Sequence, residues 1–170
     1  MTTIEFRAPW NHKVVVMTSA TIALAALVVA VAAFVPVGPP LVTVALLVAA
    51  IVLFGAAFAG RVRGYTLTED AVTVRRGLWN TRLPLAGLRS VTGDVAMMHN
   101  SICLGIVDGV FSFTGRYWRA KVGWYRALAT DPDRAVVLRY PNRTVVITPH
   151  DPQHFIMRAR TFLKVADFPK

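Results

Sequence analysis

From residue 14 through residue 60 the chain carries no Asp, Glu, Lys, Arg or His. No other feature restricts the possible folds as much, because so long an uncharged run exceeds what the core of a small domain takes up and suits a hydrocarbon layer. Residues 14–35 are apolar or small throughout. As a helix rising about 1.5 Å per residue they reach roughly 33 Å, enough to cross a bilayer core. Residues 41–60 form a second such run, and between the two lies Pro36-Val37-Gly38-Pro39-Pro40, which no helix interior tolerates and which suits a tight turn at a membrane surface. The expected element is a transmembrane α-hairpin of two helices, 14–35 and 41–60, after a short N-terminal segment, 1–13. A cleaved signal peptide is the rival reading of the first run. Its apolar core is longer than the 7–15 or so residues of such signals, and a second span follows at once.

The charge is elsewhere. The chain of 170 residues is 55% hydrophobic yet has a formal net charge of +10. Seventeen of its nineteen Lys and Arg, and eight of its nine Asp and Glu, follow residue 60. Nine of the ten net positive charges therefore belong to residues 61–170, mostly as arginine, which binds phosphate and carboxylate durably. Arg7 and Lys13 precede the first span, Arg61, Arg63, Arg75 and Arg76 follow the second, and the connecting turn is uncharged. The excess of positive charge on one side places both termini and the C-terminal domain in the cytoplasm.

Small residues on the spans fall in stripes. Ser19, Ala23, Ala26, Ala30 and Ala33 recur at spacings of four and three, and Ala45, Ala49, Val52, Ala56 and Ala59 repeat the pattern. Lipid supplies no hydrophobic drive for helix association, so such stripes matter by letting backbones approach closely. Two uses are open: the stripes pack on each other within the hairpin, or one of them docks on helices of another protein.

After Gly60 the periodicity becomes that of strands. Tyr65 and Leu67, then Val72 and Val74, alternate with polar residues around the turn 68–71, which reads as a hairpin. Residues 78–85 are expected as a third strand. Val136, Leu138 and Tyr140, the turn Pro141-Asn142, and Val145 and Ile147 form a second hairpin. Asp151 and Pro152 then supply an N-cap and a first helical residue, and Phe155, Ile156, Ala159, Phe162 and Leu163 an apolar face, predicting a helix over about 152–165. Many short strands closed by one helix, over 61–170, outline a small sandwich or partly open barrel.

The segments 64–77, 82–85, 123–127, 130–131, 135–138 and 145–152, in that order and ending on Thr148-Pro149-x-Asp151-Pro152 before a helix, resemble the bacterial pleckstrin-homology-like (PH) domain family. The resemblance covers residues 61–159. It implies a PH-like β domain used for binding or scaffolding, often attached to a pair of transmembrane helices. It supplies no catalytic residues and no ligand site to carry over, and the bacterial cytoplasmic membrane is the location it implies.

Residues 92–122 are the least regular. Apolar positions there are interrupted by Gly105, Gly109 and Gly115, which leaves room for a protruding apolar loop, and Arg116, Tyr117, Trp118, Arg119 and Lys121 then mix aromatics with bases. That mixture suits a headgroup layer or a protein partner; the alternative is that Trp118, Trp124 and Tyr125 are core and the bases a solvated face. Arg61 and Arg63 join the same contact candidates from the end of the second span.

Catalytic patterns are missing: there is no G-x-S-x-G elbow, no phosphate-cradling G-x-x-x-x-G-K-[ST] and no carboxylate pair on a recognisable framework. His150 and His154 have ligand spacing, but Pro152 starts the helix between them and no third ligand is near. The single Cys103 excludes an internal disulfide. The basic balance carries no base-reading motif, so nucleic acid is not an expected partner. No cofactor and no metal are expected. The expected function is that of a non-catalytic accessory or scaffold subunit of a larger integral-membrane complex, respiratory or photosynthetic for example, with lipids and other membrane subunits as partners. The alternative is an autonomous sensor of anionic lipid headgroups or a peptide.

Overall fold

In the computed structural model, residues 3–34, 40–99, 101–104 and 111–166 are described. The expected turn at 36–40 lies outside them except for Pro40, which opens the second helix at its first position, where a missing N–H costs nothing. Helix α1 (His12–Phe34) starts two residues before the expected boundary because Asn11 caps it: its Oδ1 accepts from the Lys13 amide at 3.1 Å. Helix α2 runs Pro40–Gly60. Both are long and apolar enough to cross a membrane. Large aliphatic side chains along them face outward, Leu24 61% and Ile51 70% exposed, an arrangement that water penalises and hydrocarbon does not.

The β domain has two sheets. The first is antiparallel, in the order β1 (Ile4–Arg7), β2 (Val62–Leu67), β3 (Ala71–Arg76), β4 (Asn80–Pro84). The second contains β5 (Ser90–Gly93), β6 (Ile102–Leu104), β7 (Phe113–Arg119), β8 (Gly123–Ala129), β9 (Val136–Arg139) and β10 (Thr144–Ile147), ordered β5-β9-β10-β8-β7-β6. All pairings are antiparallel except β8 with β10. Helix α3 (Pro152–Ala166) closes the sandwich, capped as expected by Asp151, whose Oδ1 accepts from the His154 amide at 3.0 Å.

Both predicted hairpins form, β2–β3 and β9–β10. The third strand is shorter than expected: Leu78 and Trp79 belong to the β3–β4 turn, and Leu78 is held there by an amide hydrogen bond to the Ala59 carbonyl of α2, 3.2 Å. A strand the sequence reading did not include is β1, from the segment before the spans. It pairs with β2, Phe6 opposite Tyr65, so residues on either side of the helical hairpin are neighbours in one sheet.

The main core lies between the sheets and under α3, with Tyr65, Leu67, Leu83, Leu128, Leu138, Ile147 and Phe155 essentially without solvent contact. The apolar face expected for α3 is the one that packs there: Phe155, Ile156 and Ala159 are buried and Phe162 and Leu163 lean against them. A second cluster, including Met97, Tyr117, Tyr125 and Val137, covers the other face of the larger sheet. Within the main core the Tyr65 hydroxyl donates to the Leu128 carbonyl (2.7 Å) and accepts from the Thr148 amide (3.1 Å). Complete burial pushes its pKa up to about 12, against hydrogen bonds from Thr148 that act in the opposite direction.

Candidate functional site

Two places concentrate unusual chemistry: the junction of the helical hairpin with the β domain, and the part of the large sheet that the small one leaves uncovered.

At the junction the hairpin is fastened at several points. Asn11, the cap of α1, donates through Nδ2 to Asp131 (2.7 Å) and Asp133 (3.1 Å), in the connection between β8 and β9. The Phe111 amide donates to Thr18 Oγ1 of α1 at 2.9 Å, while its ring meets Phe54 and Phe58 of α2 edge-on at 5.3 and 5.5 Å. Phe111 therefore touches the start of α1 and the end of α2 together, which means that the helices run antiparallel. Its φ of 62° is left-handed, a strained state for a bulky residue that the surrounding contacts must hold. Gly77 sits so close to the last turn of α2 that a Cβ would come within 2.6 Å of the Ala59 carbonyl oxygen, so glycine is required by space there. Of the expected apolar loop, residues 105–110 lie outside the described residues.

The small-residue stripes do not face each other. Ser19, Ala23, Ala26 and Ala30 are exposed, as are Ala45, Ala49, Val52 and Ala56; Ala59 alone is buried, at the junction, and the side chain of Ala33 lies outside the described residues. The covered face of α1 is instead Val14 and Thr18, continued by the half-buried Thr21 and Ala25, with Thr43, Leu47, Phe54 and Ala57 half-buried on α2. Thr18 and Ser19 are separated by about 100° around a helix, so the stripe is turned well away from the covered face. Asn11 and Thr18 hold the rotation of α1 from its domain end.

In the large sheet, Trp118 pairs with Trp124 and Tyr117 with Tyr125. Neighbours on a strand point to opposite faces. The tyrosines are buried and stacked at 5.6 Å, whereas Trp118 and Trp124 are 38% and 57% exposed. Of the three aromatics that the core alternative named, Tyr125 is in the core, while Trp118 and Trp124 are on the surface. Ile102 pairs with Trp118, giving an exposed row Ile102–Trp118–Trp124 across β6, β7 and β8. Of the basic candidates, Arg63, Arg116 and Lys121 are exposed, Arg119 is half-buried, and Arg61 lies 3.8 Å over the Phe58 ring.

The next row on that face is Val91–Leu138–Val145–Arg126–Arg116–Leu104, one residue from each strand. Its first three members are core; beyond them the smaller sheet ends and a cleft of about 560 Å³ opens, lined by Arg116, Arg126, Arg143, Trp124, Leu83 and Leu104 among others. Arg76, on the inner face of β3, is only 7% exposed, and its Nε is buried without a hydrogen-bond partner. Burial first, and the charge of Arg126 second, hold its pKa below the usual arginine range. Alternation along β3 places Val72, Val74 and Arg76 on one face, a signal by which the sequence alone could have marked this residue.

Residues 63–161 match the bacterial PH domain family. The chain belongs to that family. No curated protein and no solved structure matches it. PH-like domains are generally non-catalytic. Among the described residues of this bacterial PH domain no group of three or more His, Cys, Asp and Glu is placed to hold a metal. His150 lies outside α3, as its sequence position implied, and its amide donates to the Arg7 carbonyl of β1 at 2.9 Å; His154 rests on the Phe6 ring at 5.6 Å. In this PH domain the His154 ring thus packs on β1, whereas His150 meets β1 through its backbone and Arg134 through its ring.

Proposed function

We propose that the chain is a non-catalytic, membrane-anchored PH-domain protein that serves as an accessory or scaffolding subunit of a larger integral-membrane assembly, with its β domain on the cytoplasmic side. The observation that carries this reading is the fixed attitude of the hairpin. A sensor that needs only an anchor has no use for Asn11, Phe111 and β1 all clamping helices to domain. A subunit that must present one helix face to a neighbour does. The clamp turns the small-residue stripes outward, where close backbone approach by foreign helices is favourable. The exposed Ile102–Trp118–Trp124 row offers a second contact at a fixed distance from the first. Pairing of β1 with β2 supports a hairpin with both ends on one side of the bilayer, and the basic flanks favour the cytoplasmic side.

The test is purification in mild detergent with identification of co-migrating membrane proteins. Ala26→Leu and Ala49→Leu keep the spans as apolar as before and place bulk on the outward stripes. If a steric misfit of this kind costs about 1–3 kcal/mol, each variant should bind its partner roughly five- to 150-fold more weakly and recover correspondingly less of it. Recovery equal to wild type for both would remove the stripes from the docking surface.

A further inference from the structure

Going beyond that reading, we propose that the β3–β4 turn, Leu78 and Trp79, is seated in the apolar margin of the bilayer that the hairpin crosses, which gives the β domain a membrane contact of its own. This rests on the hairpin spanning the membrane and on no partner protein. Leu78 is 81% exposed and Trp79 48%. Exposed apolar residues scattered singly are ordinary. These two are adjacent, and their backbone is fixed to the end of a span. The Leu78 amide donates to the Ala59 carbonyl at 3.2 Å, and a Cβ on Gly77 would come within 2.6 and 2.8 Å of the Ala59 and Phe58 carbonyl oxygens.

That attachment sets the level of the turn. Helix α2 has 21 residues, about 32 Å at 1.5 Å per residue, little more than the roughly 30 Å of hydrocarbon it must cross. Ala59 is its penultimate residue, so the carbonyl that Leu78 binds lies where hydrocarbon gives way to the headgroup layer. Trp10, also exposed, precedes the cap of α1, and because the helices are antiparallel it stands at the same end of the hairpin. Tryptophan at that level keeps an apolar ring in the interface and an N–H within reach of water. The indole of Trp79 is held in place: the Arg76 guanidinium lies 5.2 Å over its ring. Arg76 is itself buried, which makes it a fixed support and not a mobile surface cation. In water the turn exposes a leucine and half an indole for no return, whereas at the bilayer margin both are favourable. Lipid is the occupant because the bilayer is present at that level wherever the spans are, and a partner protein would have to displace it.

The test is the fluorescence of Trp79 in the full chain with Trp10, Trp118 and Trp124 replaced by Phe; all three are exposed, so the fold should survive. The probe is a nanodisc of phosphatidylcholine whose acyl chains carry bromine near the headgroup end. Zwitterionic lipid keeps attraction between arginines and anionic headgroups out of the result. Trp79 should emit at shorter wavelength than tryptophan in water and lose most of its emission to this bromine, and much less to bromine near the methyl end. Leu78→Asp, at a position too exposed to affect folding, should shift the emission to longer wavelength and restore most of it. A second chain, with Trp79→Phe as well and Ile51→Trp at the middle of α2, reports the hairpin and should be quenched best by the deeper bromine. Quenching in that chain with none of Trp79 would overturn the seating of the turn and leave the spans intact. Absence of quenching from both would remove the spans and the proposal together. Quenching of Trp79 that Leu78→Asp leaves unchanged would also overturn it, since a seated turn cannot take up a carboxylate without cost.

Discussion

Truncation of Phe6 to alanine should destabilise the β domain by about 3–5 kcal/mol, the usual cost of removing a buried aromatic side chain. Phe6 is 5% exposed and meets Phe155 edge-on at 5.2 Å, so its loss opens a cavity between β1 and α3. At several degrees per kcal/mol for a domain of this size, the thermal midpoint of the full chain in detergent should fall by more than about 10 °C. For the same reason a fragment beginning at Arg61 should be much less stable than one in which residues 3–10 are joined to it by a linker replacing the hairpin. Circular dichroism of the two fragments checks this; equal midpoints would mean that β1 adds nothing to the domain.

Tyr65→Phe should have the next largest effect. The variant leaves the Leu128 carbonyl and the Thr148 amide buried without their present partner, at a cost of about 2–4 kcal/mol. It should also change the alkaline limb of the stability curve. Below pH 10 the hydroxyl is protonated in folded and unfolded chains alike, and the stabilisation is fully present. Between pH 10 and about 12 the unfolded chain releases the proton and the folded chain keeps it, so stability falls as pH rises. Two pH units correspond to roughly 2.7 kcal/mol. Unfolding measured from pH 9 to 12 should show a shallower decline in Tyr65→Phe than in wild type; parallel declines would mean that Tyr65 is not the group responsible.

How much of this was legible beforehand depended on how local the information was. Residues 14–60, the β2–β3 and β9–β10 hairpins and the Asp151-Pro152 start of α3 each carry their signal within a few neighbouring residues, and each appears near its expected boundary. Strand β1 does not. Ile4–Arg7 is four residues long, and its partner Val62–Leu67 lies beyond both helices, so no turn or alternation links them. The aromatics of 116–125 were ambiguous because two strands each carry a Tyr and a Trp side by side; only the register of β7 on β8, Tyr117 with Tyr125, decides which pair is inside. The stripes misled about packing within the hairpin for a related reason. Spacing shows that Ser19, Ala23 and Ala26 share a face, but the direction of that face is set by Asn11 and Phe111, whose partners are 93 to 122 residues away in sequence. The cleft combines both problems: Arg116 is a candidate from sequence, while Arg126 and Arg143 join it only through sheet pairing and closure.

We propose that the hairpin itself docks on a membrane partner. The most direct test replaces residues 19–53 with an unrelated two-span segment, keeping β1, Asn11, Val14, Thr18, Phe54 and Phe58 to Gly60 so that the clamp on the β domain is unchanged, and compares complexes recovered in mild detergent. The exchanged chain should insert, and its β domain should give the same β-rich spectrum as wild type. Wild type should migrate with an integral-membrane assembly, and the exchanged chain should migrate alone. An exchanged chain that still migrates with the assembly, in wild-type amount, would contradict docking through the helices and leave the soluble domain as the only contact.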